Sequence, residues 1–343
     1  MELTYVPLYA VLVSLAAVPF ILLSSKKPNL REFWTILAGV IKFLLVLTLL
    51  PSALQGNTIE LELLEIAPNL PLVLKADTFG VFFALIASGL WIFTSFYSIG
   101  YMRGHHEKKQ TRYFASFAIC LSSTIGIAFS GNLLTFIIFY EMLTLATYPL
   151  VIHSETKKGI AAGRKYLTYT LTAGLLLIAA AGITYSLTGT LEFKPGGIFG
   201  DTDLTSTMAI TIFLLFLGGV GVKAGIMPLH SWLPSAMAAP TPVSALLHAV
   251  AVVKSGVFGV IRVVGFIFGP DVMAEFGLND ILMVLAGITI IVASLLAFAQ
   301  DNLKRRLAYS TVGHLSYIVL GAALLDRNRA CSVVFCIFPF TPP

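Results

Sequence analysis

The sequence predicts an all-α fold, a polytopic transmembrane helix bundle whose seventh helix is discontinuous. Of its 343 residues 57% are hydrophobic and only 11% charged, against about 25% charged in a soluble domain, and the mean hydropathy is +0.89. Apolar runs of about 18 residues or more, long enough to cross a bilayer, recur about ten times. The loops between these runs alternate in charge along the chain. Lipid offers the backbone no hydrogen bonds, so each run is expected to be helical.

Taken in order, the spans fall at about 5–23, 33–54, 78–100, 113–130, 132–152, 166–188, 208–227, 242–264, 280–299 and 307–325. The first follows Met1-Glu2 without a basic leader and reads as a retained span, not a signal peptide. Lys26, Lys27 and Arg31 follow span 1, and Glu60, Glu62 and Glu65 form an acidic loop after span 2. Span 3 ends in the basic stretch Arg103 to Arg112, and Lys157, Lys158, Arg164 and Lys165 precede span 6. Asp201 and Asp203, then Asp271, Glu275 and Asp280, make acidic loops, and Lys304, Arg305 and Arg306 form a solvated basic turn before span 10. Basic loops on one side place the N-terminus outside, opposite the cytoplasm, in a multi-pass protein of the cell membrane. They also account for the net charge of +5 without a nucleic-acid partner.

Span 7 breaks the pattern. The chain stays apolar from Met208 to about Ala239, too far for one straight span, and Pro228, Pro234 and Pro240 interrupt it. Gly218, Gly219, Gly221 and Gly225 weaken the helix ahead of the first proline. A half-helix, an unwound stretch and a short second piece fit this text, and such breaks are where transporters place ion sites. The glycine run is no phosphate loop, since it follows no strand and lacks the Lys-Ser/Thr ending. Cys120, Cys331 and Cys336 form no CxxC pair, which argues against a disulfide, a cluster or a zinc site.

Three ionisable residues fall where hydrocarbon is expected. Glu141 is mid-span in span 5, Lys223 lies near the centre of the broken helix, and Lys254 is at mid-depth in span 8. A charge at that depth costs from roughly 3 to over 10 kcal/mol, so such groups mark proton or ion paths. A carboxylate close to an amine favours both charged forms while desolvation opposes them, and such a pair switches when its distance changes. His248 lies six residues before Lys254, about 9 Å along a helix axis and some 120° around it. His230 follows the break at Pro228. Both titrate near neutral pH and suit a proton relay. Lys42 is also mid-span, but span 2 lies outside this group and a shift would carry it outward; Arg262 is expected to snorkel at the outer end of span 8. Ser310, Thr311, His314 and Tyr317 make span 10 moderately polar, suited to lining a continuation of the path.

These residues stand in longer motifs. Lys223-Ala-Gly-Ile-Met-Pro-Leu-His-Ser-Trp-Leu-Pro234 runs into Ala239-Pro-Thr-Pro-Val-Ser-Ala-Leu-Leu-His-Ala-Val-Ala-Val-Val-Lys254. Tyr140-Glu141 precedes them, and Leu307-Ala-Tyr-Ser-Thr-Val-Gly-His-Leu-Ser-Tyr317 follows. Over roughly residues 75–322 the chain resembles the antiporter-like membrane subunits shared by respiratory complex I, Mrp cation/proton antiporters and energy-converting membrane-bound hydrogenases, with Mrp D-type and hydrogenase H-type members foremost.

The resemblance implies inverted five-helix repeats. Residues 1–110 would be an N-terminal three-helix region, 111–265 the first repeat (spans 4–8), 266–325 the start of the second, and 326–343 an aberrant tail. It implies a mid-membrane axis on which Glu141 pairs with Lys223 and Lys254 relays protons onward beside His248. From Asp326 to Pro343 the text matches no family motif, and Arg327 and Arg329 fall on the outer side, so a truncated or frame-shifted second half is expected.

The function that follows is a proton-translocating, non-redox subunit of a redox-driven or Mrp-type complex. Its site residues are Glu141, Lys223, Lys254, His248 and His230, and its partners are other membrane subunits and the bilayer. No cofactor or metal is expected on this chain, so redox chemistry falls to partner subunits. Sodium/proton exchange is the alternative, although sodium wants oxygens and lysines repel it. A non-conducting scaffold is a third reading, because the second half-channel is missing.

Overall fold

The computed structural model describes residues 3–67, 70–200, 202–245 and 251–324. They form two compact units. One gathers the described residues up to Leu167 together with Ala238–Val252, and the other gathers Thr168–Met237 with the described residues from Val253 onward.

In the first unit, α1 (Val6–Leu23) and α2 (Pro28–Leu54) make a hairpin closed by Phe20 and Trp34, whose ring centres are 4.9 Å apart. α3 (Thr78–Gly104) runs back along α2, where Gly39 lets the Trp91 ring within 3.1 Å of where a Cβ would sit. α4 (Gln110–Ala128) is packed from every side, with Phe117 stacked on Trp91 at 3.7 Å and the Ser122 hydroxyl donating to the Val11 carbonyl at 2.7 Å. α5 (Leu133–Val151) fits closely on α4 because Gly126 lacks a side chain where Phe139 packs. The unit also holds the first turns of α6 (Lys157–Thr188) and the short α9 (Thr241–Ala245).

An antiparallel hairpin, β1 (Ile59–Ala67) and β2 (Leu70–Ala76), occupies the stretch expected to be an acidic loop. Its alternation of Ile59 and Leu61 with Glu60 and Glu62 is the period-two pattern of a strand. Glu60 lies opposite Lys75, and their charges meet at 3.2 Å. The hairpin docks on the start of α5. The Asn132 side chain caps that helix by accepting from the Thr135 amide at 2.8 Å, and its own amide donates to the Pro71 carbonyl at 2.6 Å. The Val73 amide in turn donates to the Thr135 hydroxyl at 3.0 Å.

Two charge clusters tie the basic ends of these helices. Arg31 and Glu32, each only 4% exposed, form an ion pair, and Glu32 also pairs with Arg103. Arg31 donates to Gln110 at 2.7 Å. Arg31 is therefore the buried first turn of α2 and not a free loop charge. Beyond it, Glu155 accepts from Lys109 at 2.6 Å and from Arg112 at 2.7 Å, joining the α3–α4 loop to the α5–α6 loop.

In the second unit, α7 (Ser206–Ala224) lies against the later part of α6, where Gly219 meets Leu177 and the Ala173 carbonyl. α8 (Trp232–Ala236) follows a break, and α10 (Val252–Arg262) leads through a π-helical turn, Val263–Phe268, into α11 (Gly269–Glu275). A π turn leaves backbone groups without their usual α-helical partners, and here the amides of Lys194, Gly196 and Ile198 donate to the carbonyls of Phe266, Gly265 and Ile267. α12 (Leu278–Phe298) and α13 (Leu303–Ala323) pack as a hairpin. The outer face of α12 shows Val284, Ile288, Ile291, Leu295 and Phe298, an apolar stripe at helical spacing suited to acyl chains.

Among the described residues, eight helices are long and apolar enough to cross a membrane, counting Ser206–Ala236 and Val252–Glu275 as single spans. The expected spans 4 and 10 are helices, α4 and α13, that fall short of that apolarity. α4 is almost wholly buried in protein and tolerates Ser116, Ser122, Ser123 and Thr124, while α13 opens with Lys304, Arg305 and Arg306. The tail 326–343 lies outside the described residues.

Replacing Asn132 with Ala removes both the cap and the tether to the hairpin, and is expected to cost about 1 to 2 kcal/mol. Thermal unfolding of the purified protein checks this, with Asn132→Asp recovering the cap but not the bond to Pro71. The Glu155 carboxyl is held down to about 2, from an ordinary value of 4.5, by the hydrogen bonds from Lys109 and then Arg112. Its contribution is therefore complete above about pH 4.5 and fades as pH falls toward 2. Hydrogen exchange in the loop around Glu155, taken relative to the intrinsic rate at each pH, should stay flat from neutrality down to that range and rise below it. Glu155→Gln should raise that exchange already at neutral pH.

Candidate functional site

The break expected in span 7 is present, and its backbone is satisfied by protein. α7 stops at Ala224, and Gly225 takes the left-handed conformation, φ 75°. The Gly225 amide donates to the Val222 carbonyl at 3.2 Å and the Ile226 amide to the Gly221 carbonyl at 3.0 Å, a Schellman ending. The chain then unwinds through Met227 and Pro228, makes one 3-10 turn over Leu229–Ser231, and resumes as α8. The Trp232 indole reaches back across the break and donates to the Val222 carbonyl at 2.7 Å. The Met227 amide donates to the Thr289 hydroxyl of α12 at 3.1 Å, while that hydroxyl gives its own proton to the Leu285 carbonyl.

This framework fixes Lys223. It is the next-to-last residue of α7 and 0% exposed. The closing turn of a helix carries partial negative charge from its unpaired carbonyls, which favours a cation there by about 0.3 to 1 kcal/mol, and up to ~2 where partly buried. α10 presses directly on this turn. A Cβ on Gly256 would lie 2.2 Å from the Ala224 nitrogen and 2.5 Å from the Lys223 carbonyl carbon, so only glycine permits the approach. Lys254, half-buried, precedes Gly256 by two residues, about 200° around the helix. It therefore leaves α10 from the face opposite the one seated on α7.

His230 sits on the 3-10 turn, half-buried, with its ring centre 5.9 Å from that of Tyr309 on α13. Beside it the Ser231 hydroxyl donates to the Tyr169 hydroxyl of α6 at 2.8 Å. The second unit thus holds Lys223, His230 and Lys254 on three adjoining elements, with Tyr169, Ser231 and Tyr309 as hydroxyls nearby. Glu141 belongs to the first unit, half-buried on α5. Its carboxylate acts electrostatically on the buried phenols of Tyr140 and Tyr166, and the Tyr166 hydroxyl donates to the Thr144 carbonyl at 3.3 Å. His248 lies outside the described residues. Among the described residues no three His, Cys, Asp or Glu side chains gather as metal ligands.

Two expectations are corrected. Lys42 does not shift outward, because α2 packs it wholly inside the first unit, 0% exposed. Arg262 does not snorkel; at 2% exposure its guanidinium lies over the rings of Phe266, Phe258 and Phe193, 4.6, 5.0 and 5.4 Å from their centres. Delocalised charge on Arg tolerates such aromatic enclosure. His314 and Tyr317 are exposed on α13. Gly256, Trp232, Thr289, Tyr169 and Ser231 carry no charge, and a search for ionisable groups at membrane depth passes over them. For Trp232 the signal was present in the motif that holds Lys223.

A family model described as NADH:quinone oxidoreductase/Mrp antiporter, TM, matches residues 130–339. The chain is 33% identical over 258 residues to hydrogenase-4 component B of Escherichia coli, covering 74% of this chain and 37% of that protein. It is 32% identical over 303 residues to a probable K(+)/H(+) antiporter subunit of Rhizobium meliloti, covering 87% of this chain and 29% of that one. The chain thus spans about a third of the length of these curated relatives. In fold it is similar to a chain of the membrane-bound sulfane sulfur reductase, an archaeal respiratory membrane complex. The TM-score is 0.85 at 22% identity, covering 97% of this chain and 67% of that one.

Thr289→Val keeps the shape of the side chain but leaves the buried Met227 amide without an acceptor, at an expected cost of about 1 to 3 kcal/mol. Thr289→Ser retains the hydroxyl and should stay near the parent. Comparing thermal midpoints of the two purified variants decides it.

Proposed function

This chain belongs to the NADH:quinone oxidoreductase/Mrp antiporter transmembrane family, and on that premise we propose that it is a proton-translocating, non-redox subunit of a larger membrane complex. Lys223 is the switch, Glu141 its charge partner, Lys254 the relay, and His248 and His230 carry protons to and from the series. One observation carries this reading above the rest. A fully buried lysine sits at the end of an interrupted helix, where protein engages the freed carbonyls of Gly221 and Val222 and the amide of Met227. Structure of this kind holds an amine in place where a simple helix would let it snorkel.

In the proposed cycle, closing the distance between Glu141 and Lys223 stabilises the ammonium, and opening it releases a proton toward Lys254. The opposite faces of α10 taken by Gly256 and Lys254 suit a relay that passes a proton across the helix. Ser231 and Tyr169 supply hydroxyls beside His230 for hydrogen-bonded transfer. The reading includes a cell-membrane location, the N-terminus outside, a first repeat over residues 111–265 and a second starting at 266. Electron transfer, where present, resides in partner subunits. Exchange of a metal cation for protons is the second reading, favoured by the likeness to a K(+)/H(+) antiporter subunit. The amines of Lys223 and Lys254 repel such a cation, so protons lead.

Replacing Lys223 with Met in the assembled complex should lower proton translocation in membrane vesicles by about a hundredfold, the lower end for a positioned proton-transfer group. Lys223→Arg keeps the charge but not a side chain that can give up its proton, and should fail as well. Full pumping by either variant, with assembly preserved, removes Lys223 from the path. Stimulation of the parent's activity by sodium or potassium would favour the cation-exchange reading.

A further inference from the structure

The first unit buries one more amine, which the series above does not use. Lys42 on α2 is 0% exposed, and its Nζ has no hydrogen-bond partner among the described residues, nor an ion pair. Its level in the bundle follows from the packing of its neighbours. Gly39 meets Trp91 and Phe43 meets Gly89, so on the antiparallel α3 the level of Lys42 falls within residues 88–90, a stretch that Ser88 opens. Trp91 stacks on Phe117, and Ser98 bonds Tyr113, which sets Ser88 level with residues 120–123 on α4, Ser122 among them. Ser122 donates to the Val11 carbonyl of α1, one turn from Ser14.

Four consecutive helices therefore each place a hydroxyl or an amine within about one turn of the same depth in the bundle. All four residues are buried. Ser88 and Ser122 spend their protons on the Ala84 and Val11 carbonyls and keep lone pairs that accept. The Ser14 hydroxyl, like Lys42, has no partner among the described residues. An amine left so is costly unless acceptors surround it, and an apolar side chain of the same length would pack here without that cost.

We propose that Lys42, with Ser14, Ser88 and Ser122, forms a second buried proton-binding site in which water bridges the amine to the hydroxyls. Each of the four helices brings a polar group to this level, as a buried water requires, and the amine provides the protonatable group. This inference does not depend on the role given to Lys223.

The test uses the assembled complex in native membranes. Single cysteines replace Lys42, Ser14 or Val46, the last equally buried on α2 one turn away from the layer, and labelling by a small charged methanethiosulfonate is timed above the parent background. Only the thiolate reacts and it forms only where water reaches, so Lys42→Cys and Ser14→Cys should label at least roughly tenfold faster than Val46→Cys. Should Lys42→Cys fail to assemble, Ser14→Cys, nearly isosteric, gives the same reading. Equal rates at all three positions would mean a dry layer and overturn the proposal. In the unmutated chain, acetic anhydride should acetylate Lys42 at a rate that rises with pH, as the amine gives up its proton. A Lys42 peptide that stays unmodified at every pH would also overturn it.

Discussion

Inside a bilayer a helix that stops must find partners for every amide and carbonyl it releases, because neither lipid nor bulk water is there to supply them. The second unit is arranged around that demand. The Gly225 ending takes up two carbonyls of α7, the Trp232 indole adds a bond to one of them, and Thr289 accepts the Met227 amide. Gly256 then lets α10 rest on the same turn. With those bonds in place the break is a fixed structural element, and Lys223 rides on its edge. The position of the amine is thus a consequence of backbone accounting, and its chemistry follows from the position.

The same demand recurs wherever the helices depart from regularity. The π turn after Arg262 has its carbonyls taken by the loop from Lys194 to Ile198. The start of α5 is closed by Asn132 and tied to the hairpin through Pro71 and Val73. Polar side chains thus serve two ends in this protein. Some, such as Asn132 and Thr289, satisfy the main chain, and others, such as Lys42 and Lys223, are buried amines. The two kinds look alike in a sequence. They separate only when the bonds are known.

Burial of charge is handled in three different ways. Arg31 and Glu32 neutralise one another and recruit Arg103 and Gln110. Arg262 is surrounded by phenylalanine rings whose faces attract a delocalised cation. Lys42 has neither device among the described residues, only hydroxyls at its level. An ion pair and an aromatic cage both hold a charge permanently. A buried amine without either device is free to gain and lose a proton where water reaches it.

The sequence by itself determined the class of fold, the number and order of most helices, and the interruption of span 7. Each of those depends on local chemistry: apolar length, proline without an amide, glycine without a side chain. It also marked Glu141, Lys223 and Lys254, because an ionisable residue in an apolar run stands out without any coordinates. The hairpin at residues 59–76 is legible in the alternation of Ile59, Glu60, Leu61 and Glu62, although the same carboxylates equally suit an acidic loop. Tertiary structure alone decided the rest. Whether Lys42 or Arg262 reaches an interface depends on which neighbours close over it, and hydropathy along one helix carries no information about those neighbours. The partners of Met227 and Val222 depend likewise on residues brought together by packing, 62 positions away in one case and 10 in the other.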